Sequence, residues 1–298
     1  MTPLVASGCA DATAQAAPRA DVPVVLATIT IIADMAQVVG GPDVRVESIT
    51  GPGVEIHGYE PSPDDLRRAS EADLLLANGL GLEAWLEALV APLDLPTVDL
   101  TDGIDALEVH GGHPAHDGSA PLNPHAWMSP VEGQRYVSAI AAALTALDPG
   151  HADGYARRAA AYSAEIGGVG AAMEKHLATL PADRRVLVTC EGAFSYLARD
   201  VGLEEAFLWP VNAERQGTPR QVGAVVRRVE RSAVPAVFCE STVSATAQRQ
   251  VAREAGARFG GTLYVDSLSQ PDGPVPTYLD LLRYDAEIIV SGLTGSAL

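Results

Sequence analysis

The sequence predicts an α/β protein of two lobes, each a parallel sheet flanked by helices, joined by one long connecting helix. Three observations predict it. Short apolar, β-branched runs alternate with amphipathic stretches through Gly- and Pro-containing turns, which is how strand–helix–strand units build a parallel sheet. That alternation occurs twice, once before residue 148 and once after residue 180. Between the two, Tyr155, Ala159, Tyr162, Ile166, Val169, Met173 and Leu177 recur at helical three- and four-residue steps. A helix over this stretch would span about 45 Å at 1.5 Å per residue, longer than one small lobe. It lacks the Gly/Ser or Pro composition of a flexible linker, so it is read as crossing between lobes. The expected division is a flexible segment over 1–20, an N-terminal lobe over 21–147, a connecting helix over 148–180 and a C-terminal lobe over 181–298.

Length and composition agree with this. A chain of 298 residues favours two domains, and 47% hydrophobic with 19% charged residues fits a globular protein. A formal charge of −18 with no basic patch argues against a nucleic-acid partner. No run approaches the ~18 apolar residues of a membrane span.

The first lobe opens with a strand over 22–29, apolar enough to be buried on both faces. A helix over 31–39 ends at Gly40-Gly41, and a second strand covers 44–49. Gly51-Pro52-Gly53 then breaks that strand, because glycine permits positive φ and proline cannot continue a ladder. Ser62 as N-cap, Pro63 at the first helical position and Asp65 in the first turn start a helix. His57 therefore sits in a rigid loop between a strand end and a helix start, where α/β proteins hold ligands. Strands over 72–77 and 95–100 follow, with an amphipathic helix over 82–90 between them. The segment with His110, His113 and His116 is barred from helix by Gly111-Gly112 and Pro114, and reads as a polar loop or a loose metal-capturing arm. It leads to His125, in a loop just before the helix that Ser129-Pro130 starts and that runs to 147.

In the second lobe, a strand over 185–190 ends at Glu191-Gly192, and a helix covers 193–200. A polar loop over 212–217 precedes the helix over 219–231. A strand over 236–239, a helix over 243–255 and a strand over 262–265 ending at Asp266 come next. A helix over 276–284 with a last turn through 289 closes the chain.

His57, His125, Glu191 and Asp266 share one context: each lies past a strand or at a loop-to-helix entry, two in each lobe. Such positions converge outside the carboxyl ends of strands. Two imidazoles and two carboxylates neutralise a divalent cation, and oxygen-rich ligands favour Mn(II) or Fe(II) over tetrahedral zinc. Zn(II) would also bind by the Irving–Williams order. A metal-dependent hydrolase could use the same ligands, but no separate acid/base residue stands in a motif.

Five stretches carry a resemblance: Gly51-Pro52-Gly53-Val54-Glu55-Ile56-His57-Gly58-Tyr59-Glu60-Pro61, Asn78-Gly79-Leu80-Gly81-Leu82-Glu83-Ala84-Trp85-Leu86, Asn123-Pro124-His125-Ala126-Trp127-Met128, Glu191-Gly192-Ala193-Phe194-Ser195-Tyr196-Leu197-Ala198 and Asp266-Ser267-Leu268. Over about 22–294 the chain resembles the zinc/manganese class of metal-receptor solute-binding proteins of bacterial ABC importers. The resemblance implies an extracytoplasmic receptor, not an enzyme, that holds its metal through His57, His125, Glu191 and Asp266. It implies delivery to an ABC permease, and a single rigid connecting helix would limit hinge closure, so small local motions are expected for capture and release. Glu191, where zinc receptors usually carry histidine, resembles the manganese-type members; the histidines at 110, 113 and 116 keep zinc in play.

Val5-Ala6-Ser7-Gly8-Cys9-Ala10 resembles a bacterial lipobox, with Ala6 where leucine is preferred. Cys9 is thus expected to carry a lipid that anchors a monomeric receptor to the membrane. With Cys9 lipidated in an exported protein, Cys190 and Cys239 remain as a pair, and a disulfide between them is expected. Trp85 and Trp127 read as core; Tyr59 and Glu60 read as turn-shaping or supporting groups beside His57, and Asn212 and Glu214 as a loop near the cleft.

Overall fold

The computed structural model describes residues 22–86, 90–91, 93–109, 121–211 and 218–298. Cys9, the histidines at 110, 113 and 116, Asn212 and Glu214 lie outside these residues, as does part of the helix expected over 82–90.

The first lobe is a parallel four-stranded sheet in the order β2-β1-β3-β4, with β1 Val24–Ala27, β2 Arg45–Ser48, β3 Leu74–Ala77 and β4 Thr97–Asp99. β3 is Leu-Leu-Leu-Ala and buried throughout, as an inner parallel strand must be. Helices α1 Thr30–Gly40 and α2 Pro63–Ser70 connect the strands. Ser62 caps α2 in a reciprocal capping box with Asp65, where the sequence places the start. Helix α3, Pro130–Leu147, begins at a Ser129 hydroxyl that accepts from the Val131 and Glu132 amides.

The expected single helix over 148–180 is divided. Pro149 and Gly150 sit in a 3-10 turn, Pro149–His151, and the α-helix α4 runs only Ala152–Leu177. Proline cannot donate within a helix and crowds the preceding turn, so the break falls there. The buried residues of α4 are the seven that the periodicity picks out. They pack on α1 and α3 of the first lobe and on α5 Ser195–Val201 and α8 Tyr278–Thr294 of the second.

The second lobe has two parallel pairs, β5 Val186–Glu191 with β6 Glu204–Trp209 and β7 Ala236–Glu240 with β8 Arg258–Leu263. Helices α6 Pro219–Arg231 and α7 Thr246–Ala255 join them. The sequence reading omits β6, because Glu204-Glu205 opens it and hides its apolar half. It also places β8 too late. Gly260 lies within β8, where a side chain would clash: a Cβ there would stand 2.4 Å from the Phe238 ring. The last helix is one element, α8, running past the expected end at 289.

Cys190 and Cys239 form the expected disulfide between β5 and β7, with their Cα atoms 4.9 Å apart. Closing a loop with a sequence separation of 49 residues should stabilise the fold by about 4 kcal/mol in the chain-entropy account. The Cys190→Ala/Cys239→Ala double variant should therefore unfold at a clearly lower denaturant concentration than wild type. An unshifted midpoint, or free thiols at both positions in exported wild type, would contradict this.

Candidate metal centre

The site forms where four chain segments from both lobes meet. His57 projects from the loop after β2. That loop turns at Gly53, whose φ of +79° suits glycine. The Gly53 amide donates to Ser267 Oγ at 2.7 Å, which ties the loop to the second lobe. Glu55 tightens the same loop by accepting from the His57 and Gly58 amides at 2.8 and 3.0 Å. His125 enters a short 3-10 turn, Ala126–Met128. Glu191 is the last residue of β5, and Asp266 follows β8 by three residues.

The structure brings all four together. The two Nε2 atoms of His57 and His125 are 3.1 Å apart. Glu191 Oε1 lies 3.4 Å from His57 Nε2 and 4.0 Å from His125 Nε2. Asp266 Oδ1 lies 3.9 and 3.6 Å from the same two atoms. Donors about 2.1 Å from a common ion stand roughly 3.0 Å apart at right angles and 3.4 Å apart in a tetrahedron. The spacings of 3.1 and 3.4 Å match adjacent donors around one divalent ion, and the longer ones stay below the ~4.2 Å of donors on opposite sides of it, so the choice among metals falls to donor chemistry. His57 is 5% exposed at its side chain, and the other three are 0–1%.

Burial, then repulsion from His125, pushes the His57 imidazole down to about 4, so it is neutral near pH 7. Burial alone would raise the Asp266 carboxyl, but the adjoining imidazoles of His125 and His57 and the Thr242 hydroxyl hold it below its ordinary value. Thr242 Oγ1 donates to Asp266 Oδ2 at 3.0 Å. Behind the site, Glu240 accepts the Glu191 amide on both oxygens at 3.3 Å. Its own burial pushes it up to about 8, so it adds little negative charge beside Asp266 at neutral pH.

Other residues serve the site without reaching it. Trp127, fully buried as expected, donates Nε1 to the Val265 carbonyl at 2.9 Å, one residue before Asp266. Asn78 Nδ2 donates to the Pro124 carbonyl at 3.0 Å, and Glu83 accepts from the Asn78 and Gly79 amides. Tyr59 donates to Asp65 at 2.8 Å and packs on Trp85, so it shapes the turn. Glu60 is exposed. Asn123, Thr242 and Glu240 carry no assigned role in the sequence reading; the signal available was that each stands within two residues of a candidate ligand or of a strand end.

Asp285, on α8, accepts from the Tyr264 amide at 3.0 Å and so pins the backbone entering the Asp266 loop. Its other oxygen has no hydrogen-bond partner among the described residues, and burial pushes its carboxyl well above the ordinary range. A raised acid pKa means that the native state holds the proton after the unfolded chain has lost it, so stability falls as pH rises above about 4. Asp285→Asn should gain in stability relative to wild type as pH rises from about 4 toward neutral. Parallel unfolding curves across that range would refute the buried, protonated carboxyl.

Over residues 25–292 the chain matches the family described as Zinc-uptake complex component A periplasmic. It is 47% identical to the iron-binding protein YfeA of Yersinia pestis, over 90% of this chain and 85% of that protein. It is 31% identical to the manganese-binding lipoprotein MntA of Halalkalibacterium halodurans, over 98% of this chain and 95% of that one. The Mn-bound periplasmic metal binding protein of Candidatus Liberibacter asiaticus has a similar structure, with a TM-score of 0.84 at 37% identity. That match covers 91% of this chain and 99% of that one.

Proposed function

The chain belongs to the periplasmic zinc-uptake component A family, and we propose that within it this chain is a manganese receptor. It is a periplasmic metal-binding component of an ABC importer, a receptor and not an enzyme, and its partner is the importer's membrane assembly. The metal is its cargo. We assign the binding to His57, His125, Glu191 and Asp266. The observation that carries the reading is the meeting of two imidazoles and two carboxylates, from four segments of two lobes, with the donor pairs above no more than 4.0 Å apart.

Manganese is favoured because half of the donor residues are carboxylates, which can each offer two oxygens to a hard ion. Fe(II) is the second reading, favoured by the 47% identity to a protein named for iron binding. It shares most of manganese's coordination preferences. Zn(II) would bind tightly in vitro whichever ion is physiological. Among the described residues no helix is long and apolar enough to cross a membrane. Attachment would then rest on a lipid at Cys9, a reading supported by the lipobox-like sequence and by a relative named as a lipoprotein.

Two measurements test this. Asp266→Ala and Glu191→Ala should each lose more than the 10–100-fold typical of outer-shell partners, while His113→Ala should stay close to wild type in metal titrations. Equal losses would remove the assignment of the site. Elemental analysis of protein exported by its host in medium with manganese, iron and zinc should return one equivalent of manganese. Iron or zinc at one equivalent would reassign the cargo, and no metal would remove the receptor reading.

A further inference from the structure

Asn123 is buried where the two lobes touch, and every polar atom of its carboxamide has a partner. Its Nδ2 lies 2.7 Å from the Gly192 carbonyl oxygen and 3.0 Å from Ser195 Oγ. Its Oδ1 lies 3.1 Å from the His125 backbone nitrogen and 2.9 Å from His125 Nδ1.

These contacts admit one proton arrangement. The Gly192 carbonyl can only accept, so the NH2 end of the amide must face it. The His125 backbone N–H can only donate, so the amide oxygen must face the histidine. The imidazole nitrogen that meets that oxygen must then carry a hydrogen. Nδ1 therefore carries a hydrogen, and in the uncharged ring Nε2 is left with a bare lone pair aimed toward His57, Glu191 and Asp266.

We propose that Asn123 is a positioning residue through which the second lobe sets the tautomer and aim of the first lobe's ligand. The carbonyl that orients the amide belongs to Gly192, the residue after Glu191. One side chain thus registers His125 against Glu191 across the lobe boundary. The contact is reinforced by Tyr196, whose hydroxyl donates to the Asn123 carbonyl at 2.7 Å and accepts from the Leu107 amide at 3.1 Å. An amide suits the task because it offers a donor to one lobe and an acceptor to the other; neither Asp nor Ala does both.

The inference rests on the metal-receptor reading for its consequence, but its first readout needs no metal. In metal-free, 15N-histidine-labelled protein, long-range 1H–15N spectra should show His125 with protonated Nδ1 and bare Nε2. Asn123→Ala should shift His125 toward the other tautomer and weaken Mn(II) binding by about 10–100-fold, the range for outer-shell partners. Asn123→Asp keeps the acceptor but loses the donor to Gly192. It should preserve the tautomer yet release Mn(II) at least severalfold faster in a chelator chase. An unchanged tautomer with Ala, or an unchanged release rate with Asp, overturns the proposal. The Asp variant decides alone if the Ala variant does not fold. Should wild type bind no Mn(II), the receptor reading fails while the tautomer result still stands or falls by itself.

Discussion

His57 and His125 of one lobe stand no more than 4.0 Å from Glu191 and Asp266 of the other, and that convergence is the constraint the remaining structure answers to. A displacement of one lobe by a bond length would pull His57 and His125 off Glu191 and Asp266. The fold resists this with an apolar core that is continuous through both lobes and with α4 packed on helices of each. Buried hydrogen bonds then fix the register at the site itself. Asn123 reaches Gly192 and Trp127 reaches Val265, so the segment that carries His125 is fastened next to both Glu191 and Asp266 of the other lobe. Leaving such a buried group unpaired costs about 1–3 kcal/mol, and opening the lobes would unpair several together.

Electrostatics makes the same site receptive. Two carboxylates without a counter-charge would be costly in so enclosed a place. Their partners are imidazoles, and His57 stays neutral near pH 7 because burial and its neighbour His125 disfavour its charge. Glu240, the third carboxyl, is held protonated by its burial and does not add to the repulsion. In the proposed site a divalent cation would relieve the negative charge of the two carboxylates. The side chains that touch the Asp266 and His125 side chains from outside the four, Thr242 and Asn123, are a hydroxyl and an amide, which orient them without adding charge.

Much of this was legible in the chain. The strand–turn–helix wording around His57, the loop before Ser129-Pro130 and the end of the 185–190 strand located three candidate ligands within one structural context. The burial of α4 followed from apolar spacing alone, because a helix repeats its inward face at a fixed step. The errors have two causes. β6 begins with two glutamates, β8 contains paired glycines, and the 148–180 helix is cut at Pro149-Gly150. In the two strands local composition and tertiary packing disagree, whereas the helix break obeys a local proline rule that the apolar periodicity overrode. Gly260 stands in a strand, despite glycine's poor fit there, because Phe238 of the neighbouring strand leaves no room for any larger residue.

The sequence by itself determined the two-lobed α/β class, the capped helix starts, the connecting helix and the residue types able to hold a metal. These follow from short-range rules, namely periodicity, capping and turn chemistry. Only the tertiary structure decided that His57 and His125 meet at 3.1 Å, that Asn123 spans the lobes, and that Asp285 holds the Asp266 loop. Those pairings join residues far apart in the chain, and no local pattern encodes a distance across a lobe boundary. It is set by how two cores pack against one helix.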